Sequence, residues 1–198
     1  MMGYLDKIHR MLKRSTNGTL MTAEVSAAGL PRAQLKQLVD LGEIYSYSRG
    51  IYVQANAWED EMFLLQQKYS RGIFSGETAL YLFGYSDQTP SVYAMTFPQG
   101  YNTPSLKEEK IFIKRVVLKN YSLGITEVNS PSGNKIKVYD IERTLCDIMR
   151  GNDGNIQLIG KAMKKYVQSK EKNFQKLIGY AEKLRVKPKI LNYLEVLL

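Results

Sequence analysis

Among the residues that bind metals or form cross-links, this chain of 198 residues has only one cysteine, Cys146, and one histidine, His9. One cysteine excludes an internal disulfide, and one cysteine with one distant histidine does not make the ligand cluster of a structural zinc site. No apolar run approaches the length that spans a bilayer, so no membrane partner is expected. The opening residues Met-Met-Gly-Tyr-Leu-Asp-Lys carry no signal-like apolar segment, and the expected compartment is the cytoplasm. No glycine-rich phosphate loop or cofactor motif occurs, so no cofactor or metal is expected. With His9 alone in a surface-type helix, an acyl-transfer enzyme built on histidine is disfavoured, and the chain is expected not to be an enzyme.

What the chain has is positive charge, a net +9 unevenly placed. Residues 1–54 carry 7 basic and 4 acidic groups, residues 55–150 carry 11 of each, and residues 151–198 carry 10 and 4. Two basic ends around a neutral middle point to polyanionic partners.

The segment 30–53 organises the N-terminal end. Residues 31–41 read as a short helix with Pro31 in the first turn, Leu35, Leu38 and Val39 on one face, and Gly42 as the stop. Two β-rich runs, 44–47 and 51–53, flank Ser48-Arg49-Gly50 and read as a hairpin. Ahead of them lie a helix over 4–14, an extended piece at 19–21, and a second short helix over 23–28 with Thr22 as its N-cap. Gly29 turns the chain into the third helix. That order predicts a winged helix-turn-helix over residues 1–56 that binds double-stranded DNA. Small helical bundles also contain short helices around a Gly turn, and their basic residues merely meet solvent. The hairpin with Arg49 at its tip favours the DNA reading. The residues placed to reach DNA are Arg32, Gln34, Lys36 and Gln37 on the third helix, Tyr47, Ser48 and Arg49 on the wing, and Arg14 and Thr22 at phosphates.

Residues 57–198 read as a second domain. Helices are expected over 57–69 and 75–84, and strands over 91–97, 111–118, 125–129 and 135–139. Short connections favour a small antiparallel sheet. Asp140 caps a helix over 141–150 in which Arg143 and Asp147, four apart, share a face as a structural ion pair. Gly151-Asn152-Asp153-Gly154 reads as a break, and residues 98–110 as a long polar loop. Three basic helices follow, over 155–168, 173–184 and 188–198. Lys161, Lys164, Lys165, Lys172, Lys176 and Lys183 fall away from their apolar stripes and outline a second basic surface. For most helices such lysines are only a solvated face. Gly160 and Gly179 recur in a weak nineteen-residue echo, at positions where neighbouring helices are expected to approach closely. The fold class expected is α+β: a winged helix-turn-helix, then a mixed domain with a small sheet and a basic helical C-terminus.

Pro31–Val53, the Ser75–Gly84 segment and the run Tyr139-Asp140-Ile141-Glu142-Arg143-Thr144-Leu145-Cys146-Asp147 stand together in order over most of the chain. In these pieces the chain resembles the AbiEi-type antitoxins of bacterial abortive-infection toxin–antitoxin pairs. The resemblance implies a winged helix that binds inverted repeats in its own promoter and represses the operon. It further implies a C-terminal domain that counteracts a toxin of nucleotidyltransferase fold, in a type IV arrangement that need not involve a stable toxin–antitoxin complex. The alternative is a ligand-responsive repressor without antitoxin activity. A third reading, a magnesium nuclease on Asp87 with Glu108-Glu109-Lys110, has the residue types but places them in polar loops.

Overall fold

The computed structural model describes residues 3–102, 106, 108–151 and 156–198. The chain is α+β and divides into two compact units, Met1–Ser70 with Asn129–Ile136, and Arg71–Val128 with Lys137–Leu198. The division follows packing rather than chain order, so the segment 57–70 and the turn at 129–136 go with the N-terminal unit.

The N-terminal unit begins with α1 (Tyr4–Arg14), β1 (Thr19–Met21), α2 (Thr22–Ala27) and α3 (Ala33–Asp40), followed by β2 (Ile44–Ser48) and β3 (Ile51–Gln54). The strands form an antiparallel sheet in the order β1-β3-β2. Ile8, Leu12, Val25, Leu35 and Leu38 bury one stripe of each helix against it and meet Leu20 from β1, the pattern of an amphipathic helix on a half-buried sheet. Gly29 and Gly42 take positive φ at the ends of α2 and α3, where a side chain would be strained. Gly50, at φ +81, forms the hairpin tip, and its carbonyl accepts the Thr22 amide at 2.9 Å. Thr22 is therefore the first residue of α2 and not its cap; the Glu24 carboxylate accepts the free Met21 amide at 2.8 Å instead. Pro31 and Arg32 form a tight turn leading into α3 rather than its first residues, with Gln34 and Leu35 amides bonded to their carbonyls at 3.1 and 3.0 Å.

Helix α4 (Glu61–Lys68) is shorter than the stretch 57–69. Asp60 sets its start: Oδ1 accepts the Phe63 amide at 3.1 Å, while Oδ2 accepts Asn134 Nδ2 at 2.8 Å and the Ser130 hydroxyl. Trp58 lies ahead of that cap, 90 % exposed.

The second unit holds a five-stranded sheet in the order β6-β5-β4-β8-β7. Its strands are β4 (Ile73–Phe74), β5 (Tyr93–Pro98), β6 (Ile111–Val116), β7 (Ile125–Asn129) and β8 (Lys135–Tyr139). The expected all-antiparallel sheet is corrected here, because β5 pairs β6 and β4 pairs β8 in parallel, and only β4–β5 is antiparallel among the pairings resolved. The 99–110 connection explains it: a parallel neighbour needs a crossover of about a dozen residues. The central β4 is too short to show a period of two and escapes sequence reading. Helices α5 (Gly76–Leu82), α6 (Leu118–Tyr121), α7 (Ile141–Arg150), α8 (Ile156–Gln168), α9 (Phe174–Lys183) and α10 (Lys187–Leu197) complete it. The start expected at Asn155 and the break at 152–154 lie outside the described residues, as does part of the 98–110 loop. Leu145, Cys146, Met163, Tyr166, Leu177 and Ile190 share one core. Gly160 and Gly179 face open space, so neither marks a close helix crossing.

Cys146 lies at the centre of this core with its Sγ 3.8 Å from the Leu177 carbonyl, and burial pushes its thiol up to about 12. The native thiol should react with iodoacetamide about a hundredfold or more slower than in urea, because both access and thiolate are suppressed. The unfolded chain releases this proton first, so stability should fall as pH rises from about 9 toward 12. Cys146→Ala should flatten that slope in urea titrations; an equal slope would show that the thiol is not its source.

Candidate functional site

Two constellations stand out, one in each unit. In the first unit, Arg32, Lys36 and Gln37 are exposed along α3 and its entry turn, on the side opposite Leu35 and Leu38, and Gln34 is half-buried. Arg32 donates through Nε to Ser26 Oγ at 2.9 Å, which ties the turn to α2. Arg49 is exposed at the hairpin tip and Ser48 half-buried beside it, where a bulge between Ser46 and Ser48 alters the pairing with β3. Tyr47 packs against the cluster of Ile51, Val53 and Leu64, so its ring supports the hairpin rather than projecting from it. Tyr45 packs there too, and its phenol is pushed up to about 12 by burial and by the hydrogen bond it donates to Glu59. Arg14 is exposed at the end of α1, and Thr22 is half-buried at the start of α2. His9 shares a hydrogen bond of 2.6 Å with Glu43, joining α1 to the loop after α3.

The second constellation is on α7. Arg143 is fully buried and meets Asp147 Oδ2 through Nε at 2.9 Å. Its Nη1 donates to the Leu123 carbonyl at 2.8 Å and to the Asn120 carbonyl, and its guanidinium lies 4.4 Å from the Tyr139 ring centre. Asp140 caps the helix, accepting the Arg143 amide at 2.8 Å. Glu142 accepts from the Tyr166 hydroxyl at 3.1 Å and pairs with Lys176 at 3.2 Å; Lys176 also reaches Asp140 at 3.1 Å. Burial raises the Asp140 carboxyl, against the opposing pull of the Arg143 amide and Lys176. Burial alone would lower the Lys176 ammonium, but its bond to Asp140 and the charges of Asp140 and Glu142 raise it overall.

The C-terminal lysines divide. Lys161, Lys164, Lys165, Lys172 and Lys183 are exposed, although Lys165 donates to the Gly84 carbonyl and Lys172 to the Ser169 carbonyl at 3.1 Å. Lys176 differs from the others, because its two carboxylate partners hold it against α7. No local signal marks it, because Asp140 and Glu142 lie more than thirty residues before it in the chain. Asp87 and Glu108 are exposed in loops, and no group of three His, Cys, Asp or Glu among the described residues is placed to hold a metal. No helix among the described residues is long and apolar enough to cross a membrane.

No family model matches the chain, and no curated protein matches it in sequence. Its fold is similar to that of the RV2827C protein from Mycobacterium tuberculosis. The similarity covers 98% of this chain and 80% of that one, at a TM-score of 0.60 and 13% identity. At that identity the likeness concerns the fold alone.

The α7 constellation makes two distinct demands on stability. Arg143→Met should cost about 3–5 kcal/mol in urea unfolding, because it leaves the buried Asp147 without its cation. Lys176→Met should destabilise at neutral pH, and its deficit should shrink as pH rises through the raised Lys176 value, where the wild type loses the same charge. A deficit independent of pH would assign Lys176 a packing role only.

Proposed function

We propose that this chain is an AbiEi-type antitoxin. In this reading the N-terminal unit is a winged helix that represses its own operon, and the second unit counteracts a toxin of nucleotidyltransferase fold. It acts by binding rather than by catalysis. The observation that carries the DNA part is the arrangement α1-β1-α2-α3-β2-β3 with a β1-β3-β2 sheet, presenting Arg32, Lys36 and Gln37 on α3 and Arg49 at the hairpin tip. A helix with a polar, basic outer face fits the major groove, and a basic hairpin tip fits the neighbouring backbone or minor groove. Arg32 and Gln37 are the base-reading candidates, Gln34 and Lys36 flank them, and Arg14, Thr22 and Ser48 serve phosphates. Inverted repeats in promoter DNA are the expected target.

The antitoxin part rests on the resemblance carried by Ser75–Gly84 and Tyr139–Asp147. The exposed lysines Lys161, Lys164, Lys165, Lys172 and Lys183 offer a basic face for the toxin or for the nucleic acid on which it acts. A second reading, a repressor governed by a small ligand, is favoured by a cavity of about 560 Å³ in the second unit.

Co-expression separates the readings. The adjacent nucleotidyltransferase-fold gene is expressed with full-length chain, both from unrelated promoters, alongside the double variant Arg32→Ala, Arg49→Ala. Rescue by both chains, with promoter binding lost only in the variant, is the expected result. Failure of both stably expressed chains to rescue, with promoter binding retained by the wild type, would leave the ligand-responsive repressor. Singly, Arg32→Ala should cost about 1–3 kcal/mol in affinity and relax specificity at one position, whereas Arg49→Ala should weaken all sequences alike and lower the salt slope by about one.

A further inference from the structure

The cavity in the second unit lies among the start of α5, strands β5 and β6, the end of α7 and helix α8. Val92, Phe112, Ile148, Leu158 and Ile159 give it apolar walls, and the Phe112 ring is 61 % exposed. One of its lining groups has chemistry that the fold leaves incomplete, and a cation stands beside it. Asp147 is 4 % exposed and gives Oδ2 to Arg143, but its Oδ1 has no hydrogen-bond partner. Lys114 Nζ, on β6, stands 3.9 Å from that oxygen, close enough for charge attraction but beyond hydrogen-bond range. A buried carboxylate oxygen left unpartnered costs free energy that a matching donor recovers.

An ammonium is a donor only and a carboxylate an acceptor only. Side by side, Lys114 Nζ and Asp147 Oδ1 are therefore complementary to a planar edge that carries an N–H next to a carbonyl or ring-nitrogen acceptor. A water satisfies either group but does not occupy the apolar walls, which call for a flat ring. Arg143 and Lys114 balance Asp147 and Glu77, so the surroundings hold no surplus of positive charge for a phosphate. The volume lies in the range of small-ligand sites. Oδ1 is shielded from solvent in the free protein, and Lys114, with its side chain 34 % exposed on an edge strand, has room to swing as a ring enters.

We propose that this cavity binds a nucleobase-like heterocycle edge-on between Lys114 and Asp147, with its ring against Phe112. The site does not rest on the antitoxin reading. A chain that fails to neutralise a toxin would still bind such a ligand, and a chain that neutralises one need not use it.

The test is calorimetric or ligand-detected NMR titration of the full-length chain with uracil, hypoxanthine and adenine, and with 1,3-dimethyluracil, which has no N–H. At least one of the three bases should saturate with a Kd below about 1 mM. The dimethylated base should neither bind nor compete. The matching nucleoside monophosphate should bind no tighter than the base. Lys114→Met should weaken binding at least about tenfold, and Phe112→Ala, at an exposed position that folding does not depend on, should weaken it severalfold. Asp147 is left unchanged because it holds Arg143. Absence of saturation by all three bases overturns the proposal, as does equal binding of the dimethylated base. Unchanged affinity in a folded Lys114→Met chain overturns it too. If that variant does not fold, the Phe112→Ala and methylation results decide alone.

Discussion

The Arg143 guanidinium is fully buried, and an uncompensated cation in such a place costs several kcal/mol, so the chain around it has to supply acceptors. For Nε and Nη1 it does so with Asp147 on the same helix and the Asn120 and Leu123 carbonyls at the end of α6, while the face of Tyr139 at the end of β8 covers the guanidinium and Nη2 has no hydrogen-bond partner. Gly124 follows directly, at φ +77, where a Cβ would fall 2.8 Å from the Arg143 Cβ. The backbone there has to be glycine both for its conformation and for its closeness. Helix α7 is thereby fixed to the sheet, and the later helices dock onto α7 in turn, α8 through Tyr166 on Glu142 and α9 through Lys176 and Tyr180 on Asp140.

Much of this was legible in the sequence where a period repeats. Leu5, Ile8, Met11 and Leu12 mark α1, Leu35 and Leu38 mark α3, and the stripes Ile159–Tyr166 and Leu177–Ala181 mark α8 and α9, all at helical spacing. The Arg143–Asp147 pair was legible from its four-residue interval. Other features depend on partners remote in the chain. The two-residue β4 has no period at all, and the parallel pairings of β4 and β5 depend on which neighbour a strand finds. The start of α4 was misplaced because its cap, Asp60, is held by Ser130 and Asn134, some seventy residues away. Lys176 reads as one more surface lysine until Asp140 and Glu142 are brought beside it.

The same limit applies to the candidate sites. Arg32, Lys36, Gln37 and Arg49 lie within one short stretch, so their exposed places on α3, its entry turn and the hairpin are legible locally. The Lys114–Asp147 juxtaposition joins a strand and a helix more than thirty residues apart, and the spacing that marks Asp147 points to Arg143, not to Lys114. Nor does the sequence tell Tyr47, whose ring is absorbed by the Ile51–Val53–Leu64 cluster, from a side chain free to reach outward.

The bond between the Gly50 carbonyl and the Thr22 amide makes the hairpin tip a fixed arm rather than a free antenna. β1 runs beside β3 up to the tip, where Met21 faces Ile51, and the Thr22 amide carries that line into α2, which leads through Gly29 into α3. The hairpin tip and the start of α2 therefore stand at a spacing that the backbone fixes and the side chains only decorate.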